Sequence, residues 1–169
     1  TTALLRANLA NNVSYFVTAR SSDATQPSNA GNFSVYGATF TFQDATPPAP
    51  VSYISATTPT ATPGQAQISW LPTGDNGSQG VLINGLFRIQ YATATLGISW
   101  STAAAQVSQS FTALTPGATQ TITISGLLER VTHYFVIWTV DSDGNWSVAS
   151  VSTASVLVPG DPTAISGKV

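Results

Sequence analysis

Hydrophobic and polar residues alternate with a period of two along most of the chain. Leu86-Phe87-Arg88-Ile89-Gln90-Tyr91 alternates, and so does Thr121-Ile122-Thr123-Ile124. That period puts successive side chains on opposite faces of a strand. Tyr134-Phe135-Val136-Ile137-Trp138-Thr139-Val140 is a β-branched and aromatic run, too short and too bulky to favour a helix. Pro63-Gly64, Gly74-Asp75-Asn76-Gly77, Pro116-Gly117 and Asp143-Gly144-Asn145 separate these runs as turn signals. No segment sustains a 3.6-residue period with caps. The pattern predicts an all-β chain of many short strands, arranged as a sandwich or barrel.

The pattern also repeats. Leu9–Val17 aligns without a gap on Leu128–Val136, with Leu six residues before Tyr in both copies. Polar loops follow, Ser21-Ser22-Asp23 and Asp141-Ser142-Asp143, then an aromatic-Ser-Val step, Phe33-Ser34-Val35 and Trp146-Ser147-Val148. Each copy ends in a Pro-rich segment, Asp44–Pro50 and Pro159–Pro162. A spacing of about 119 residues suits one sandwich per repeat rather than a solenoid turn.

Residues 46–158 resemble a fibronectin type III domain of the bacterial extracellular kind. The resemblance rests on Thr46-Pro47-Pro48-Ala49-Pro50, a strand-B tryptophan in Ile68-Ser69-Trp70 and the 74–77 loop. It rests equally on the Phe87–Tyr91 strand, the Leu128-to-Tyr134 step and the turn from Asp141 to Ser147. It implies an all-β, immunoglobulin-like antiparallel sandwich, with one complete unit at 51–158 behind a Pro-rich hinge at 45–50. Residues 1–44 then supply the last three strands (E, F, G) of a preceding unit. Residues 159–169 supply a hinge and the opening strand of a following one. A half-unit of three strands leaves an apolar face around Tyr15, Val17 and Phe40 and unpaired edges. Completion by polypeptide upstream or by an adjacent subunit is the expectation.

On that template Tyr134 and Tyr15 take the place of the tyrosine corner, where the phenol hydroxyl bonds a backbone group upstream. The alternation directs Trp70, Phe87, Ile89, Tyr91, Leu128, Val136, Trp138 and Val140 inward. It leaves Phe135 and Ile137, beside Leu86, as an apolar strip on the outer face of the C–F–G sheet. Either another unit or the Ala/Thr-rich excursion at 92–118 covers such a strip. Trp100 and Trp146 sit in loop-like contexts, and sugar contact or packing over the sandwich ends are the two readings for them.

Candidate chemistry is sparse. His133 is the single histidine, which supplies neither a triad nor a zinc site and reads as a surface strand residue. Asp141-Ser142-Asp143-Gly144-Asn145 spaces oxygens as a calcium loop begins, without the distal acid such a loop requires. The alternative is a turn in which Asp and Asn bond their own backbone. Catalytic, cofactor and metal residues are therefore expected to be none. Asn12, Asn32, Asn76 and Asn145 fit the glycosylation acceptor pattern.

Composition narrows the partners. Charged residues are 7% of the 169, the net charge is −2, and there is no Cys or Met. Arg6, Arg20, Arg88, Arg130 and Lys168 are scattered, so nothing matches a row of phosphates and nucleic acid is excluded as a partner. No apolar window reaches the ~18 residues of a membrane span. Thr1–Arg6 has no charged leader, so an export signal would lie upstream. Taken with the resemblance, this suggests a non-enzymatic module of an extracellular or cell-surface fibre, stalk or adhesin, assembling head-to-tail. Its expected partners are neighbouring copies or domains, with polysaccharide or another cell-surface ligand as a further class. The alternative is an accessory module of a secreted carbohydrate-active enzyme.

Overall fold

The computed structural model of the chain describes residues 13–17, 20–22, 30–33, 38–58 and 62–162. They belong to two compact units, Thr1–Ala45 and Thr46–Val169.

In the first unit, β1 (Ser14–Val17) pairs antiparallel with β4 (Ala38–Thr41), and β2 (Arg20–Ser22) with β3 (Ala30–Phe33). The β1–β4 register sets Tyr15 opposite Phe40. Their rings stack with centroids 5.9 Å apart, and Phe42 closes edge-on against Phe40 at 5.2 Å. This aromatic cluster holds one face of the pair. Phe16 projects from the other and is 80% exposed.

The second unit is a two-sheet sandwich. One sheet is β11 (Gln120–Ser125), β6 (Gln65–Trp70) and β5 (Ile54–Thr57), in that order. The other runs β13 (Ala154–Leu157), β12 (Thr132–Val140), β8 (Leu86–Ala92), β9 (Val107–Ser110). Every ladder in both sheets is antiparallel. A short pair, β7 (Leu82–Ile83) with β10 (Ala113–Leu114), lies outside them. The 3₁₀ turn at Thr102–Ala104 is the helical element among the described residues.

The period-two pattern explains the layers. In β6, Ala66, Ile68 and Trp70 point inward while Gln65, Gln67 and Ser69 do not. β11 opposes them with Ile124 across from Ala66 and Ile122 across from Ile68. From the facing sheet come Phe87, Ile89, Phe135 and Ile137. Trp70 meets Phe87 edge-on at 4.5 Å, a geometry that favours the ring quadrupoles. Among the described residues, no buried side-chain nitrogen or oxygen lacks a hydrogen-bond partner.

The register of β12 differs from the sequence expectation by one residue. Phe135 and Ile137, expected outside, face the core with no exposure, opposite Tyr91 and Ile89. Val136, Trp138 and Val140, expected inside, lie on the outer face opposite Gln90, Arg88 and Leu86. The E–F connection carries the same slip. Leu127 is buried and Leu128 is 64% exposed, so the leucine six residues before the corner is Leu127 and the corner residue is His133. The cause is the Leu127-Leu128 doublet: Leu128 stands six residues before Tyr134, but Leu127, six before His133, is the one that is buried. A one-residue slip moves a whole strand's side chains to the other face.

The chain enters and leaves this sandwich at opposite poles. β5 starts beside the end of β6, at Ile54 opposite Trp70. The segment before it is docked: Ala49 N donates to Gly77 O at 2.9 Å and Gly77 N to Pro47 O at 3.0 Å. Gly77 has φ +65, a turn conformation that glycine adopts without strain. At the other pole, Gly64 N, at the start of β6, donates to Pro159 O just past β13.

Candidate functional site

The outer face of the β13–β12–β8–β9 sheet carries the densest polar construction among the described residues. Its floor is Val136, Trp138 and Val140, all nearly buried although they face away from the core. The cover comes from the excursion after β8. Gln90, 5% exposed, donates through Nε2 to Ser99 O at 3.1 Å and accepts at Oε1 from Ser101 N at 2.7 Å. Arg88 donates to Thr102 O at 3.0 Å. Ser101 caps the 3₁₀ turn by accepting from Ala104 N. Gln106 extends the β8–β9 ladder, accepting from Tyr91 N and donating to Tyr91 O. Two glutamine amides thus tie an irregular segment to the sheet by supplying both donor and acceptor. The strip expected to need a cover, Phe135 and Ile137, lies in the core, and it is the face of Val136, Trp138 and Val140 that the excursion of the same unit overlies.

Trp146 completes this layer. The chain after β12 turns back so that Trp146 bridges to Val140, and the Arg88 guanidinium lies 5.1 Å from the centre of its ring. That is cation–π distance, and the guanidinium covers an apolar plane that would otherwise meet water. Trp100 is half-buried within the tethered excursion.

The turn itself is organised by Asp141, 4% exposed. Its Oδ1 accepts from Asp143 N and Asn145 N, both at 2.9 Å, and its Oδ2 accepts from Asn145 Nδ2 at 2.9 Å. These are the self-bonding contacts of an Asx-type turn. Both carboxylate oxygens are engaged within the loop. Among the described residues, no group of three His, Asp or Glu side chains is gathered as for a metal. The Asn145 acceptor pattern is similarly committed, since its amide holds Asp141 and Ser147 is buried, with Oγ accepting from Thr139 N.

His133, expected on the surface, is 2% exposed. Its Nδ1 lies 3.2 Å from Val131 O, so Nδ1 carries the proton and donates. Tyr91 and Phe135 flank the ring at 6.1 and 6.4 Å. The imidazole takes the corner position expected of Tyr134. Being shorter than a phenol, it bonds a carbonyl two residues back instead of one further upstream. Tyr134 is half-buried on the opposite face of β12.

A cleft of about 290 Å³ opens at the seam between β9 and β11. Phe87, Phe111, Leu114 and Ile122 contribute its apolar wall, and Gln109 and Gln120 its rim. Phe111 stacks on Phe87 at 6.2 Å. This stack continues the core outward as a plug.

Sequence reasoning picked out Arg88, Trp100, Trp146 and Asp141 without joining them, and it missed Gln90 and Gln106. Their signal was an amide at an otherwise apolar or edge position beside a long excursion. Leu9, the Asn12 and Asn32 acceptor side chains, and all of 162–169 beyond Pro162 lie outside the described residues or side chains.

No protein-family model matches the chain, and no curated protein sequence matches it. Among solved structures, it is similar to the chicken CNTN1 FN1–FN3 domains, at 14% identity and TM-score 0.50 over 90% of this chain and 45% of that one. It is also similar to the C. elegans twitchin kinase region (24%, TM-score 0.46, 68% of this chain and 17% of that). Rat CD45 extracellular domains d3–d4 are a third (10%, TM-score 0.47, 92% and 70%). The chain spans less than half the length of the first two. At these identities the likeness shows fold alone: an antiparallel fibronectin type III-like sandwich.

Proposed function

We propose that the chain is a structural and interaction module of an extracellular repeat protein, a surface fibre, stalk or adhesin, whose units meet head to tail and perform no catalysis. The observation that carries this reading is a repetition. β1–β4 and β12–β13 are antiparallel pairs, each closed across a connection of more than ten residues, 18–37 and 141–153. In the second unit the inner face of that pair is covered by β5, β6 and β11. In the first, the Tyr15–Phe40–Phe42 cluster offers the same kind of face. A sandwich sheet of the same type is the surface that fits it. Low charge and hydroxyl-rich strands suit packing between units, and an extracellular setting is part of the proposal. An accessory role to a carbohydrate-active enzyme draws less support, because Trp146 already stacks with Arg88.

Light scattering and electron microscopy of the protein across concentrations test this. End-to-end oligomers are expected, and Tyr15→Ser with Phe40→Ser should abolish them while leaving the melting of the second unit unchanged. A monodisperse monomer at the highest soluble concentration, or oligomers indifferent to that pair of changes, overturns the reading.

A further inference from the structure

Just past β13 the chain passes over the turn that joins β11 to β12, and the contacts there form a small binding site. Arg130 sits in that turn with φ +57, a left-handed conformation that residues with a side chain adopt rarely. A strained residue of this kind is held by its surroundings and points to a task. Here its backbone N donates to Val158 O at 2.9 Å, and its guanidinium reaches across to donate from Nη2 to Asp161 O at 3.2 Å. The neighbouring Glu129 accepts from Asp161 N through Oε2 at 2.9 Å. One residue's peptide groups are thus read on both sides, the N–H by a carboxylate and the carbonyl by a guanidinium.

Gly160 supplies the second observation. Its φ lies outside the left-handed range, so conformation alone does not call for glycine there. Space does: a methyl group at Gly160 would collide with Nε and Cγ of Arg130. The Arg130 side chain therefore lies against Gly160, and a side chain at that position would have to displace it. Gly64 N donating to Pro159 O fixes the preceding residue from the start of β6.

We propose that the Glu129–Arg130 turn is a peptide-binding site whose ligand is the chain's own Gly160–Asp161 segment, and that it fixes the direction in which the chain leaves the sandwich. The ligand chemistry is a glycine followed by a peptide unit with its N–H and carbonyl both available. Sequence reading takes 159–162 as a hinge, whereas the clasp makes its first half a fixed extension of the domain. The inference stands on this geometry and does not depend on the proposed assembly.

Amide hydrogen exchange followed by NMR on the 169-residue protein tests it. The Asp161 amide is expected to exchange about fivefold or more slowly than an unstructured amide, as a retained charge-assisted hydrogen bond implies. Glu129→Ala should return it to the unstructured rate. Arg130→Gly, which suits the left-handed backbone, and Gly160→Ala, which lifts the guanidinium, should each accelerate it. The Val158 amide, bonded to Val131 O, should stay protected in every variant and reports that the domain is folded. If Gly160→Ala or Arg130→Gly loses Val158 protection, Glu129→Ala decides alone. An Asp161 amide already exchanging freely in the parent, or one equally protected in folded Glu129→Ala, overturns the proposal.

Discussion

The two faces of β12 are both apolar, and they are buried by different means. Phe135 and Ile137 interlock with the strands of the opposite sheet, a regular layer in which each rung of the ladder fixes the next. Val136, Trp138 and Val140 lie under residues 99–102 and Trp146, irregular chain held by glutamine amides and one guanidinium. The first face is closed by repeating backbone geometry. The second is closed by particular side chains, each of which can be removed singly. Interiors packed between ladders relax little when a group is deleted, whereas a tethered loop can settle into the gap.

Four changes grade that difference. Phe135→Ala should cost the most, about 3–5 kcal/mol of unfolding free energy in urea titration, because the cavity it leaves is lined by both sheets. Trp138→Ala removes a larger side chain but should cost less, about 2–3 kcal/mol, as the cover subsides onto the strand. An equal or greater loss for Trp138 would show that the excursion is as rigid as the sheets. Gln90→Ala should cost about 1–2 kcal/mol by stripping Ser99 O and Ser101 N of their partner. Faster amide exchange should then spread through 99–104 while β6 stays protected. Arg88→Ala should be smallest, about 0.5–1 kcal/mol, from its lost hydrogen bond to Thr102 O, its lost contact with Trp146 and lost stem packing. Its readout is a shift of tryptophan fluorescence toward that of a solvated indole.

Much of the sandwich was legible beforehand, and the reason is local. Gln65–Trp70, Leu86–Tyr91 and Gln120–Ser125 each have one polar side and one apolar side, so period and facing come together. β12 defeats that method because both its sides are apolar; alternation gives a strand but no preference between faces. In the Leu127-Leu128 doublet the spacing to Tyr134 favours Leu128, and burial selects Leu127. Gly126, in a left-handed turn whose next residue donates from Leu127 N to Gly64 O, is the local mark of the true anchor. His133 looked like a surface residue for the same cause: once the register shifts, its position becomes a core corner. The turn at Asp141 was readable because its bonds join residues two and four apart. Gln90 and Ser101 are eleven residues apart, and no pattern in the sequence ties them.

The opposite placement of the entry and exit of the second unit has a mechanical meaning. Tension applied through the backbone of this unit would enter at β5 beside one pole and leave after β13 at the other, strands that belong to different sheets. The four rungs joining β5 to β6 and the four joining β12 to β13 are therefore strained together, in shear, rather than peeled one at a time. Breaking several hydrogen bonds at once takes a larger force than breaking them in succession, even when the total free energy is the same. With the docked Pro47–Ala49 segment at one pole and the Glu129–Arg130 clasp at the other, a pull reaches the ladders through fixed points of attachment.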